Sequence, residues 1–150
     1  MDKVKTYKLL QKLHKSKLDE LSVKVSQTQD YLNKESESVK LLENYLDEYR
    51  RSFNESISYK NKTLLSITSY NAFMKKLNSM LDEQRIKIST ITERLESLRC
   101  SWRGEHVNYN KYEKLIQSIT DNEEKELNKL DQKYTDEISV DAHLRNIKKH

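Results

Sequence analysis

No proline interrupts the 150-residue chain, and it holds one glycine, Gly104, and one cysteine, Cys100. Average usage would give a chain of this length roughly ten glycines and seven prolines. Those residues build tight turns, so sandwiches, barrels and nucleotide-binding α/β domains, which need many turns, are excluded. A lone cysteine leaves no internal disulfide, as suits a reducing cytoplasm. No window approaches 18 apolar residues, so no transmembrane span is expected. The basic N-terminus, MDKVKTYKLLQKLHKSK, has neither an apolar core nor a small-residue cleavage site and does not read as a signal peptide. Apolar residues are scarce too, at 35%, matched by 35% charged residues. A compact core at this length needs more apolar mass. Long helix with a narrow apolar stripe remains, or disorder. A net charge of only +4 and the regular recurrence of Leu, Ile, Tyr and Phe argue against disorder.

What is present is a heptad pattern. In the first segment position a reads Leu18, Val25, Leu32, Val39, Leu46 and Phe53. Position d reads Leu21, Thr28, Glu35, Leu42, Tyr49 and Ser56, with Thr28 and Glu35 marking a loose stretch. Before Lys17 the phase slips by one, to Leu10. In the second segment a reads Met74, Leu81, Ile88, Leu95, Trp102, Tyr109 and Ile116, and d reads Leu77, Gln84, Ile91, Leu98, Glu105, Tyr112 and Ile119. Beyond Ile119 a jump of four leads to Leu127 and Tyr134, a stutter that relaxes the supercoil. A 3.5-residue repeat of this length makes a left-handed coiled-coil seam.

Between the segments the seam phase is lost. Asn61 can take the left-handed conformation in place of glycine, and Ser66, Thr68 and Ser69 are candidate N-caps. The expected fold is therefore all-α, two long helices forming an antiparallel coiled-coil hairpin. It reads as a single unit, with arm one at about 3–57, a turn at about 58–68 and arm two at about 69–145. Gly104 falls inside the second arm as a tolerated weak point.

Catalytic and metal chemistry find no footing. Of His14, His106, His143 and His150 no two stand at i, i+4, and none has a cysteine at metal-ligand spacing. There is no P-loop, dinucleotide fingerprint or nucleophile elbow. Cys100, beside Arg99 and Arg103, reads as an incidental thiol. No catalytic residue, metal or cofactor is expected. Charge is segregated: residues 1–17 carry six Lys and one Asp, and residues 121–141 carry eight acids and three Lys. In a hairpin the basic first arm would face the acidic later part of the second and set the register; alternatively the joined termini form a charged docking end. The aromatics Tyr45, Tyr49, Phe53, Phe73, Trp102, Tyr109 and Tyr112 gather around the seam. Most are a or d residues, but Tyr45 falls at g, on the flank, where aromatics are typical interface anchors.

Several stretches resemble the FliJ family, small coiled-coil proteins of the flagellar type III export apparatus. They are LLENYLDEYR (41–50), SYNAFMKKLNSMLDEQRIKI (69–88), LRCSWR (98–103) and NKLDQKYTDE (128–137). Specific marks are Tyr45 and Tyr49 with Arg50, Tyr70 with Phe73, Ser101-Trp102-Arg103, and Asp131 to Lys133 followed by Asp136-Glu137. The resemblance implies a non-enzymatic hairpin similar to the central stalk of rotary ATPases. Its terminal end would enter the export ATPase hexamer. It would link that ring to the integral-membrane export gate and escort export chaperones. It would be cytoplasmic, peripheral at the inner face of the cell membrane through these partners. By matching position the gate patch would be Leu42, Tyr45, Tyr49, Phe73, Leu77, Met80 and Gln84. The chain departs from the family pattern at Met80 and Gln84, where a smaller residue and a His are frequent.

Four readings compete, the plainest being an inert structural dimer whose seams pair between chains rather than within one. The stalk protein of a virulence-type secretion system is a structural cousin. A nucleic-acid-binding hairpin would need a continuous basic stripe, yet residues 18–57 carry nine acids against five bases, so nucleic acid is not an expected partner. An amphipathic membrane-surface pair would need a broad apolar face, and this seam is narrow.

Overall fold

The computed structural model describes residues 2–59 and 63–148. Helix α1 runs Lys3–Tyr59 and α2 runs Leu64–Lys148. Among the described residues there is no strand, and the two helices pack against each other as a helical hairpin, the fold class that the heptads predict.

Both helix starts are fixed by local chemistry. Asp2 Oδ1 accepts from the Val4 amide at 3.2 Å, and the Asp2 carbonyl accepts from the Thr6 amide, which caps α1. At α2 the cap is Thr63, not Ser66, Thr68 or Ser69. Its Oγ1 accepts from the Ser66 amide at 3.2 Å, and its carbonyl from the Ile67 amide. The Thr68 hydroxyl instead donates back to the Leu64 carbonyl at 2.8 Å. The expected turn at 58–68 was too wide: 58, 59 and 64–68 are helical, and the second helix ends at Lys148 rather than near 145. Loss of the apolar alternation there marks loss of burial rather than loss of helix, since Leu64 and Leu65 are 81% and 77% exposed. Asn61 lies outside the described residues.

The chain divides into two compact units, Asp19–Arg103 and Met1–Leu18 with Gly104–His150. In the first, partner numbers fall along α1 as they rise along α2. Arg85 donates to Glu43, Lys87 to Glu35, Arg99 to Gln29 and Trp102 to Ser22. The pairing is antiparallel. Its core is Val39, Leu46, Met74, Leu77 and Leu81, flanked by Leu42, Tyr49, Tyr70, Phe73 and Ile88. Ile91 and Leu95 are buried further along α2. All are seam or seam-flank positions, and the seam residues Thr28, Glu35 and Gln84 are half-buried with them. Glu35 is tolerated in the seam because the Lys87 ammonium reaches its Oε1 at 3.4 Å.

The second unit corrects two expectations. The phase does not slip before Lys17. Val4, Tyr7, Gln11, His14 and Leu18 are half-buried or buried, which continues the a and d series unbroken, while Lys17 is exposed. Polar residues occupy the seam because they are satisfied across it. Gln11 donates to Glu113. His14 Nδ1 lies 2.5 Å from Glu105 Oε2, and its ring stacks on Tyr112 at 5.4 Å. Tyr7 packs on the same tyrosine at 6.0 Å.

These pairs also show that the basic arm does not face the acidic segment. Residues near Tyr7 and Gln11 lie against 112 and 113, so α1 ends before the acidic stretch begins. Every residue from 120 to 148 is exposed, including the stutter positions Leu127 (61%) and Tyr134 (66%).

Candidate functional site

The two flanks of the seam in the unit Asp19–Arg103 differ in chemistry. Positions e face each other across the helices, and the pairs there are polar: Arg85 with Glu43 at 3.0 Å and Arg99 with Gln29 at 2.8 Å. Positions g face each other on the opposite flank, where the Lys87 ammonium stands 5.3 Å over the Tyr31 ring. Hydrogen bonding to Tyr31, and then to Glu35, holds the Lys87 pKa above the ordinary lysine value. Tyr45, Phe73 and Met80 share this g flank. No aromatic occupies an e position from Ser22 to Arg50 or from Asn71 to Arg99. The g flank thus carries Tyr31, Tyr45, Phe73 and Met80 among lysine, arginine and serine, while the e flank between those bounds is polar throughout. The rings of the first flank are of the kind that anchors an interface.

The expected patch is divided by depth. Tyr45 and Met80 are 49% and 47% exposed. Leu42, Tyr49 and Phe73 are half-buried and pack on the core cluster. Leu77 belongs to that cluster, 8% exposed. Gln84 is half-buried in the seam, with its Oε1 buried and without a hydrogen-bond partner. The centre is an aromatic ladder. Tyr49 contacts Tyr45 at 6.3 Å, Tyr70 at 5.5 Å and Phe73 at 4.8 Å, and Tyr70 stacks on Phe53. Tyr49 thus joins the exposed Tyr45 to the half-buried rings Tyr70 and Phe73, and the ladder holds the surface side chain in place.

The heptads single out Tyr45 at g; the recurrence of apolar residues along that whole flank, and the bridging of Tyr49 and Phe53 by Tyr70, emerge only once the two helices are paired. The signal was in the sequence: Tyr31, Tyr45, Phe73 and Met80 recur at g, with serine or a basic residue in the same series. Cys100 is exposed. Among the described residues no group of three His, Cys, Asp or Glu is placed to hold a metal ion. No helix there is long and apolar enough to cross a membrane.

Two antiparallel helices with one narrow seam, and with aromatic residues along one flank of it, define a coiled-coil hairpin with an exposed surface to offer. The family model for flagellar FliJ protein matches residues 4–148, and the chain belongs to that family. It is accordingly a flagellar export-apparatus protein in general terms. No curated protein and no solved structure matches it.

Proposed function

We propose that the protein couples the flagellar export ATPase to the membrane export gate and escorts export chaperones. The observation that carries this reading is family membership over residues 4–148. In it, the end bearing both termini enters the ATPase hexamer as a stalk. The exposed helix 120–148 suits insertion because no described residue of its own chain covers it. The gate contact falls on the g flank, with Tyr45 and Met80 as exposed anchors and Leu42, Tyr49, Phe73, Leu77 and Gln84 as the support beneath. Attachment to the inner face of the cell membrane is then peripheral, through the gate. The protein itself catalyses nothing; it acts by favouring one state of its partners.

The test is to mix the chain with its cognate export ATPase. Turnover and ring assembly should rise, and removing residues 1–12 or 140–150 should weaken the effect. Unchanged ATPase activity with no ring association by the intact chain overturns the coupling role.

A further inference from the structure

The two flanks of the seam in the unit Asp19–Arg103 also differ in how far they are closed. On the e flank Gln29, Ser36 and Glu43 are half-buried, and Arg99 and Arg85 reach across to Gln29 and Glu43. On the g flank Lys24, Tyr31, Tyr45, Met80, Lys87 and Arg94 are all exposed, and no g position of this unit is an acid. The register that sets Lys87 over Tyr31 sets Arg94 opposite Lys24 one heptad further on, so two cations face each other. Lys87 has Glu35 as a partner at 3.4 Å. Lys24 and Arg94 have no ion pair or hydrogen bond among the described residues. Like charges brought together repel, so the hairpin gains nothing from this pair on its own.

We propose that Lys24, Lys87 and Arg94 form a basic extension of the aromatic docking surface, and that the partner segment lying on this flank is apolar over Tyr45 and Met80 and acidic over the three cations. The inference rests on the gate reading and deepens it by naming the chemistry of the partner. The flank runs from aromatic and thioether residues on the turn side to basic ones away from it. From Tyr45 to Lys24 it spans about 30 Å of helix, which a partner helix of about 20 residues would cover. A carboxylate set between Lys24 and Arg94 relieves their repulsion and accepts charge-assisted hydrogen bonds from the guanidinium. The bordering c positions carry the exposed acids Glu20, Glu48 and Glu83 beside Lys34 and Lys76, so the basic strip is one residue wide on each helix. An anionic membrane calls for a broad apolar face rimmed by cations, and nucleic-acid affinity is built from many neutralised phosphates. A single acidic stretch of protein fits the strip.

The test measures binding of the full chain to the cytoplasmic part of its cognate gate protein by isothermal titration calorimetry. Wild-type affinity should fall with added salt. Lys24→Glu and Arg94→Glu should each weaken it at least tenfold, about 1.4 kcal/mol, and flatten the salt dependence. Lys24→Glu also sets opposite charges across the flank, so its melting temperature should hold or rise, which separates lost binding from lost fold. Arg99→Glu, an equal charge change on the e flank, should bind like wild type. An intact chain that does not bind the gate overturns the gate reading and this extension with it. Binding lost in Tyr45→Ala but kept in Lys24→Glu and Arg94→Glu overturns the extension alone. So do a wild-type affinity indifferent to salt, an equal loss in Arg99→Glu, and a loss in the charge variants confined to RNA or to phosphatidylglycerol vesicles.

Discussion

Gln84 and Tyr45 carry opposite expectations although both belong to the proposed gate patch. The Gln84 oxygen is buried with no partner, and an unsatisfied buried acceptor costs about 1–3 kcal/mol. Gln84→Met keeps the length and removes the orphan oxygen. Its urea midpoint should rise by the equivalent of about 1 kcal/mol at constant m-value. Tyr45 is half exposed, and surface substitutions change stability by under about 0.5 kcal/mol. Tyr45→Ala should therefore melt like wild type, keep ATPase binding, and lose gate binding by about 2 kcal/mol or more as an interface anchor. Tyr49→Ala removes contacts to three rings and should lower both gate binding and melting temperature. A Tyr45→Ala chain that melts many degrees lower, or that supports normal motility, removes Tyr45 from the gate contact. At this scale the sequence was legible wherever apolar residues held the register. It was opaque at Gln11 and His14, whose partners Glu113 and Glu105 lie 102 and 91 residues away. A polar residue at a seam position looks like a break until its partner is known.

Element boundaries followed a similar logic. The heptads showed two helices and the single break between them an antiparallel sense, but heptads report burial, and helix outlasts burial at the turn-side end of α2 and beyond Ile119. Local capping by Asp2 and Thr63 fixed the true starts, and several Ser and Thr residues stood in competition for the second cap. Gly104 lies within α2 without a positive φ, and a Cβ added there meets nothing within 4 Å. Gly104→Ala should thus gain the full helix-propensity difference, about 1 kcal/mol, seen as a higher midpoint in thermal melts followed by circular dichroism. A fall in midpoint would mean that the site needs the flexibility of glycine.

For the molecule as a whole, the two units rest on different chemistry. The unit Asp19–Arg103 holds the apolar cluster of Val39, Leu46, Met74, Leu77 and Leu81 beside its polar seam residues Thr28, Glu35 and Gln84; the other has Gln11, His14 and Glu105 in its seam, and among its described residues Leu18 alone is a buried apolar one. Removing apolar residues from a seam removes the term that offsets chain entropy, so the second unit should open first. Trp102 is the single tryptophan and lies in the first unit, bonded to Ser22 at 2.9 Å. On heating, the circular dichroism signal should begin to fall before Trp102 fluorescence changes. Coincident transitions would show that the units melt as one. The bare helix beyond residue 120 also bears on lifetime. Proteolysis begins where backbone opens at little cost, and a helix with no neighbour opens most readily. Copies whose tail is occupied would be spared and idle copies cut first, so the amount of this protein in a cell would follow the supply of whatever covers that tail.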